Sequence, residues 1–303
     1  MPLAASATRR RLVAAAVALS AVLLVPVAAA SGAERDLYVS LGDSYAAGFQ
    51  ATGQGQGRYT RNGFAYQVPR FARAKGFDVR LVNFGCGGET TASILRRTTA
   101  CGGPAPGGPD YAGRTQADAA TRFIRRNRDR VALITVSIGG NDVTACARGG
   151  VDPLTCVGDA VEDIKENVGT LVRRLRAAAG PTPRIRGITY PDVVLGAWVS
   201  GQPADQDLAR LSVPAFKALI NPALRAQYRS VRRGRFVDVT AATGAYGPLD
   251  ELTTFAPYGA LPKPVAEVCR LTYYCAYRDI HARTNGYRLI ADLIANTLPK
   301  RRG

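Results

Sequence analysis

Histidine is nearly absent from this chain of 303 residues: His281 is its single copy, beside one methionine and one tryptophan. That scarcity excludes a histidine-built metal centre, and the six cysteines contain no C-x-x-C spacing that could supply a thiolate one. Any step that needs an imidazole must therefore use His281. Acidic residues are also short, 23 against 40 lysines and arginines, giving a net charge of +17. A basic balance raises nucleic acid or an anionic surface as partners. The arginines are scattered, however, with only short clusters at Arg122–Arg130, Arg173–Arg176 and Arg229–Arg235. No series of aromatic residues interleaves with them as a strand-binding platform requires, so nucleic acid is not an expected partner. Weak attraction to anionic lipid or cell-wall polymer is.

Long apolar runs are limited to one. Leu12 to Ala30 follows three arginines, Arg9 to Arg11, and ends in small residues. That pattern predicts a secretory signal cleaved after Ala30 or Ala33, so residues 1–33 are assigned to it and 34–303 to a single domain. The rival is a membrane anchor, since 19 apolar residues could just span a bilayer. The run is mostly alanine and valine, which favours cleavage. The Thr8–Leu12 start is faintly like a twin-arginine signal, so the export route stays open. A secreted, extracellular location makes disulfides the expected state of an even cysteine count. The six fall in three close pairs, Cys86 and Cys101, Cys146 and Cys156, Cys269 and Cys275. Fifteen connectivities are possible in principle, and the local spacing favours sequential pairing.

The whole chain is 47% hydrophobic, and the part beyond the signal has no internal repeat or clean linker. Short β-branched runs are expected as strands at Leu37–Leu41, Val79–Phe84, Val131–Ile138, Ile185–Tyr190 and Phe236–Val239. Helices are expected between them, at Asn62–Lys75, Gln116–Arg128, along Val161, Ile164, Val168, Leu171 and Leu175, and over Leu208–Val231, kinked or in pieces at Pro214 and Pro222. A last helix carries Tyr287, Ile290, Ile294 and Leu298 on one face, with Thr284 as its candidate cap. Gly53–Gly57 and residues 102–114 read as loops, and 240–278 as a long irregular segment. Strands alternating with helices predict a doubly wound α/β domain.

Three of those strands run into polar or glycine turns: Gly42-Asp43-Ser44, Gly87-Gly88 and Gly139-Gly140-Asn141-Asp142. In a parallel sheet such ends share one edge and can converge on a crevice. A serine nucleophile needs a base and donors aimed at the oxyanion it creates. The amides of Ser44 and Gly88 and the side chain of Asn141 are candidate donors, and His281 is the base by elimination. Trp198, Tyr246, Phe255 and Tyr258 lie in later loops and are candidates for an acyl pocket, with ordinary packing as the equal alternative. The absence of a metal or cofactor requirement follows from the same set.

These residues carry a resemblance. Gly42-Asp43-Ser44-Tyr45, Asn83 to Thr90, Gly139-Gly140-Asn141-Asp142 and Asp279-Ile280-His281 resemble, in order, the four signature blocks of the GDSL or SGNH hydrolases. The overall pattern is most similar to secreted actinobacterial lipases and esterases of that family. The resemblance implies a flavodoxin-like three-layer α/β/α sandwich with a central parallel sheet. It also implies metal-free hydrolysis of carboxylic esters of lipids or short acyl chains, with acetyl removal from polysaccharide as the alternative substrate class. Carried over by position, Ser44 is the nucleophile, His281 the general base, and Ser44, Gly88 and Asn141 the oxyanion hole. Asp43 and Asp142 become turn braces. The usual aspartate three residues before the histidine is here Arg278. Either Asp279 reaches the imidazole from two residues before, or a main-chain carbonyl orients the ring. The lipase elbow G-x-S-x-G is missing, because position 46 is alanine, which weighs against the common α/β-hydrolase fold. A non-catalytic module binding anionic surfaces remains the rival from a different class. A monomer is expected.

Overall fold

The computed structural model describes residues 36–146 and 153–300; the expected signal segment, 1–33, lies outside them. In chain order the elements are β1 (Asp36–Gly42), α1 (Ser44–Ala47), the hairpin β2 (Phe49–Gly53) and β3 (Gln56–Tyr59), α2 (Phe64–Arg73), β4 (Val79–Asn83) and α3 (Ser93–Arg96). Then come α4 (Gln116–Arg126), β5 (Val131–Ser137), α5 (Gly140–Thr144), α6 (Pro153–Ala179), β6 (Arg184–Ile188) and a 3₁₀ segment (Val193–Ser200). The chain continues through α7 (Pro203–Pro214), a π-helical turn (Ala215–Ile220), α8 (Asn221–Arg229), β7 (Gly234–Val237) and α9 (Val239–Ala242). It ends with the hairpin β8 (Leu252–Phe255) and β9 (Gly259–Pro262), α10 (Lys263–Leu271), α11 (Tyr274–Tyr277) and α12 (Thr284–Asn296).

Five strands form one sheet in the order β4-β1-β5-β6-β7, every pairing parallel. Counting only these strands, the order is 2-1-3-4-5, the flavodoxin-like arrangement, whose switch point falls between β1 and β5. Both faces are covered, which is why β5 is buried at every residue and reads as one apolar run. Side chains alternate across the sheet. Leu37, Val39 and Leu41 enter the layer made with α4, α6 and α8. Tyr38 points the other way, into the layer of α2 and α12, where its hydroxyl meets Thr135 Oγ1 at 2.8 Å. The α/β three-layer sandwich and the strand set expected from the residues are thus present.

Several expectations need correcting. Gly53–Gly57 is not a plain loop, because β2 and β3 pair antiparallel around it. Thr284 does not cap α12: Arg283 holds the cap position, and the Thr284 hydroxyl instead accepts from Gln50 Nε2 at 3.0 Å. Pro214 and Pro222 do not break the helical run into pieces. The missing proline N–H groups are absorbed by the π turn between α7 and α8, which takes up one extra residue and keeps the chain helical. The segment 240–278 is not irregular throughout. It contains the β8–β9 hairpin and α10, whose Pro264 sits in the first turn, where proline costs no hydrogen bond.

Gly42 is the tightest point of the sheet edge. Its φ is +135°, its N–H donates to Gln116 Oε1 at 2.7 Å, and a Cβ there would lie 2.0 Å from the Ser137 carbonyl oxygen. Neither the dihedral nor the space tolerates a side chain. Gly42→Ala is expected to cost more than about 3 kcal/mol of stability, measured by urea unfolding. A loss below about 1 kcal/mol would show that β1 and β5 can part without consequence.

Candidate active site

Ser44 opens α1, directly after β1, with Asp43 as the N-cap accepting the Tyr45 N–H at 3.0 Å. Its Oγ lies 2.7 Å from His281 Nε2. The other ring nitrogen, Nδ1, lies 2.8 Å from Asp279 Oδ1, and the same oxygen accepts the His281 backbone N–H at 2.9 Å. The carboxylate reaches a ring only two residues on because it forms an Asx turn, folding the loop over itself. Of the two arrangements open for Asp279, the side chain is the one that meets the imidazole. Burial pushes the Asp279 carboxyl up, but the bonds and charge interaction with His281 outweigh it and hold it below its ordinary value. An ionised Asp279 accepts from Nδ1–H, which leaves the Nε2 lone pair facing the serine hydroxyl.

The histidine loop is anchored from several sides. Tyr45 donates to the Ile280 carbonyl at 2.6 Å, and the Tyr273 N–H donates to the His281 carbonyl at 2.9 Å. The imidazole packs on Phe49, with ring centroids 4.3 Å apart.

The two other turns arrive at the same edge. Gly88 has φ +75°, and a Cβ there would meet nothing within 4 Å, so its backbone faces open space. Among the described residues, neither the Ser44 nor the Gly88 amide is spent on a backbone acceptor. Asn141 gives one side-chain N–H to the Glu89 carbonyl at 2.7 Å, which fixes the amide and leaves its second N–H free to face the cleft. Asp142 accepts from both the N–H and the hydroxyl of Thr91, tying the β5 turn to the β4 turn. Asp43 accepts the Tyr190 hydroxyl at 2.5 Å, and the Tyr190 ring lies over Gly140. Both aspartates brace turns, as expected. The three cysteine pairs form Cys86–Cys101, Cys146–Cys156 and Cys269–Cys275. No cluster of metal-ligating side chains occurs among the described residues.

Two clefts meet at Ser44. The wider, about 560 Å³, runs past Phe49, Tyr59, Gly88, Arg278 and His281. The narrower, about 130 Å³, is apolar and bounded by Val143, Val157, Val193, Leu208, Phe216 and Leu224. Trp198, Tyr246, Phe255 and Tyr258 line neither. They pack beside Leu195, Val265 and Val268 in a satellite core, so ordinary packing is the role they take. The apolar pocket was missed because its walls come from helices whose inward stripe reads as core. One signal was available: Leu211, on the same helix, is an exposed large apolar residue.

Asp43 is fully buried, and burial pushes its carboxyl up to about 7, against the lowering hydrogen bonds from Tyr190 and the Tyr45 N–H. Between the unfolded value of 3.8 and about 7 the folded state therefore binds more protons than the unfolded chain. This group's contribution to stability falls as pH rises through that window. Asparagine can keep both the cap and the Tyr190 contact without ionising. Relative to Asp43→Asn, the wild type is expected to lose stability from pH 4 to pH 7 in urea titrations, and a flat difference would refute the assignment.

No curated protein matches the chain in sequence. Among solved structures, a catalytic mutant of an acetylxylan esterase from Geobacillus stearothermophilus is 14% identical, with a TM-score of 0.50 over 86% of this chain and 93% of that one. The M. smegmatis aryl esterase is 14% identical, with a TM-score of 0.40 over 86% and 97%. At such identities the first likeness speaks for the fold alone. The model of the GDSL-like lipase/acylhydrolase family matches residues 40–289, which include Ser44, Gly88, Asn141 and His281. The chain belongs to the GDSL-like lipase/acylhydrolase family and is a carboxylic ester hydrolase.

Proposed function

We propose that the protein is a secreted lipase or esterase, of the kind found in actinobacteria, that cleaves short to medium acyl esters by a serine mechanism. The observation that carries this reading is the unbroken line Asp279 Oδ1, His281 Nδ1, His281 Nε2, Ser44 Oγ, with contacts of 2.8 and 2.7 Å. His281 takes the Ser44 proton as Oγ attacks the ester carbonyl. The carbonyl oxygen becomes an oxyanion, received by the amides of Ser44 and Gly88 and by the free N–H of Asn141. His281 then protonates the departing alcohol, and the acyl group remains on Ser44 until water, activated by the same imidazole, releases it. No step calls for a metal or a cofactor. The three disulfides support export, and residues 34–303 act as one catalytic domain in this reading.

The apolar pocket supports the acyl assignment. An apolar cavity of about 150 Å³ holds a benzene ring, so one of about 130 Å³ suits an acyl chain of about four to six carbons. The second reading, acetyl removal from polysaccharide, uses the same triad but would leave this pocket unfilled. A non-catalytic binding module would have no use for a hydrogen-bonded serine–histidine pair.

The test is hydrolysis of p-nitrophenyl esters from acetyl to palmitoyl. Turnover is expected to peak near butyryl to hexanoyl, to vanish in Ser44→Ala, and to drop about 10³- to 10⁴-fold in kcat for Asp279→Asn. An optimum at acetyl favours the polysaccharide reading, and near-normal turnover in Asp279→Asn removes its carboxylate from the mechanism.

A further inference from the structure

Arg278 occupies the position where the family resemblance puts an aspartate, and the structure gives it a different setting. Its φ is +57°, a region that few residues other than glycine and asparagine adopt, and its N–H closes α11 on the Tyr274 carbonyl at 2.7 Å. The residue lines the wide cleft together with Ser44 and His281. Among the described residues it is the one arginine or lysine that lines either cleft. Its guanidinium lies 3.7 Å from Asp205 on α7, a long contact between groups that are 50% and 35% exposed. Exposed pairs of this kind contribute little, so the arginine is available to a better partner.

The reaction fixes which part of an ester lies there. The general acid must protonate the leaving alcohol, so the alcohol half sits on the His281 side of Ser44, in the wide cleft, while the acyl half takes the apolar pocket. We propose that Arg278 is an anion-recognising subsite for the alcohol half of the substrate, which therefore carries a phosphate or carboxylate group. This rests on the serine-hydrolase reading above. Guanidinium presents a planar fork that pairs with both kinds of oxyanion, and Asp205 is its resting counter-ion, displaced when substrate enters. The net positive charge that remains once the three signal arginines are removed draws an anionic ester toward the protein.

The experiment compares soluble esters with the same hexanoyl chain: neutral dihexanoylglycerol, anionic dihexanoylphosphatidylglycerol, and a hexanoyl ester of a hydroxycarboxylic acid. The readout is the ratio of kcat/KM, anionic over neutral. Wild type is expected to favour the anionic esters at low salt. Arg278→Asn, which suits the backbone conformation, is expected to lower the ratio about tenfold, with Arg278→Lys in between. Asp205→Ala is expected to raise it by lowering KM for the anionic esters, a gain that misfolding could not produce. A fall on both anionic esters identifies a general oxyanion site; a fall on the phosphodiester alone identifies a phosphate headgroup. Turnover of the neutral ester with no charge preference, or a ratio unmoved by Arg278→Asn, overturns the subsite and leaves the hydrolase standing. No turnover of any ester by the wild type refutes both.

Discussion

The buried bond between Asp43 and Tyr190 holds the catalytic edge together. Asp43 caps the helix that presents Ser44, and its second oxygen takes the Tyr190 hydroxyl from the end of β6. The Tyr190 ring in turn covers Gly140, beside Asn141, and meets Tyr45 edge-on with centroids 4.9 Å apart. Tyr45 reaches the carbonyl of Ile280, next to the base. Ser44, Asn141 and His281 therefore share one aromatic hub. Leaving either buried group without its partner costs about 1–3 kcal/mol.

The sheet order makes that hub possible. Because β1 has β4 on one side and β5 on the other, the turns after all three strands open around the switch point. Gly42 lets β1 press against β5, with the Asp43 N–H donating to the Ser137 carbonyl at 3.0 Å. Asp142 and Thr91 then lock the β5 turn to the β4 turn. These are all backbone-proximal constraints, set before any catalytic side chain is placed.

That origin explains how much was legible in the residues. Strands buried on both faces read as apolar runs, and their polar ends stood out against them, so the sheet, Ser44, Gly88 and Asn141 could be named in advance, and His281 by being the one histidine. The apolar pocket could not. Val193, Leu208, Phe216 and Leu224 look like core in the residue pattern, and nothing in that pattern shows that a pocket opens between them. Aromatic residues of the 240–278 segment were attractive candidates because that segment looked unstructured. Once α10 and the β8–β9 hairpin form, Phe255 and Tyr258 have a core of their own to fill. Period and composition report burial, not which buried face borders a void.

The placement of the acid is where local chemistry overrides motif spacing. An aspartate two residues before a histidine would, in an extended chain, project to the same side but about 7 Å along. Here Asp279 Oδ1 accepts the His281 N–H, and that single turn brings the carboxylate beside the ring it must orient. The turn needs a chain reversal just before it, which the left-handed Arg278 supplies at the end of α11. The Cys269–Cys275 bridge ties α10 to α11 immediately upstream, so the reversal is made on an anchored segment. The same left-handed residue that permits the short spacing also lines the wide cleft. With the carboxylate of Asp279 already beside the imidazole, the side chain at 278 is not needed there, which is what the proposed anion subsite requires.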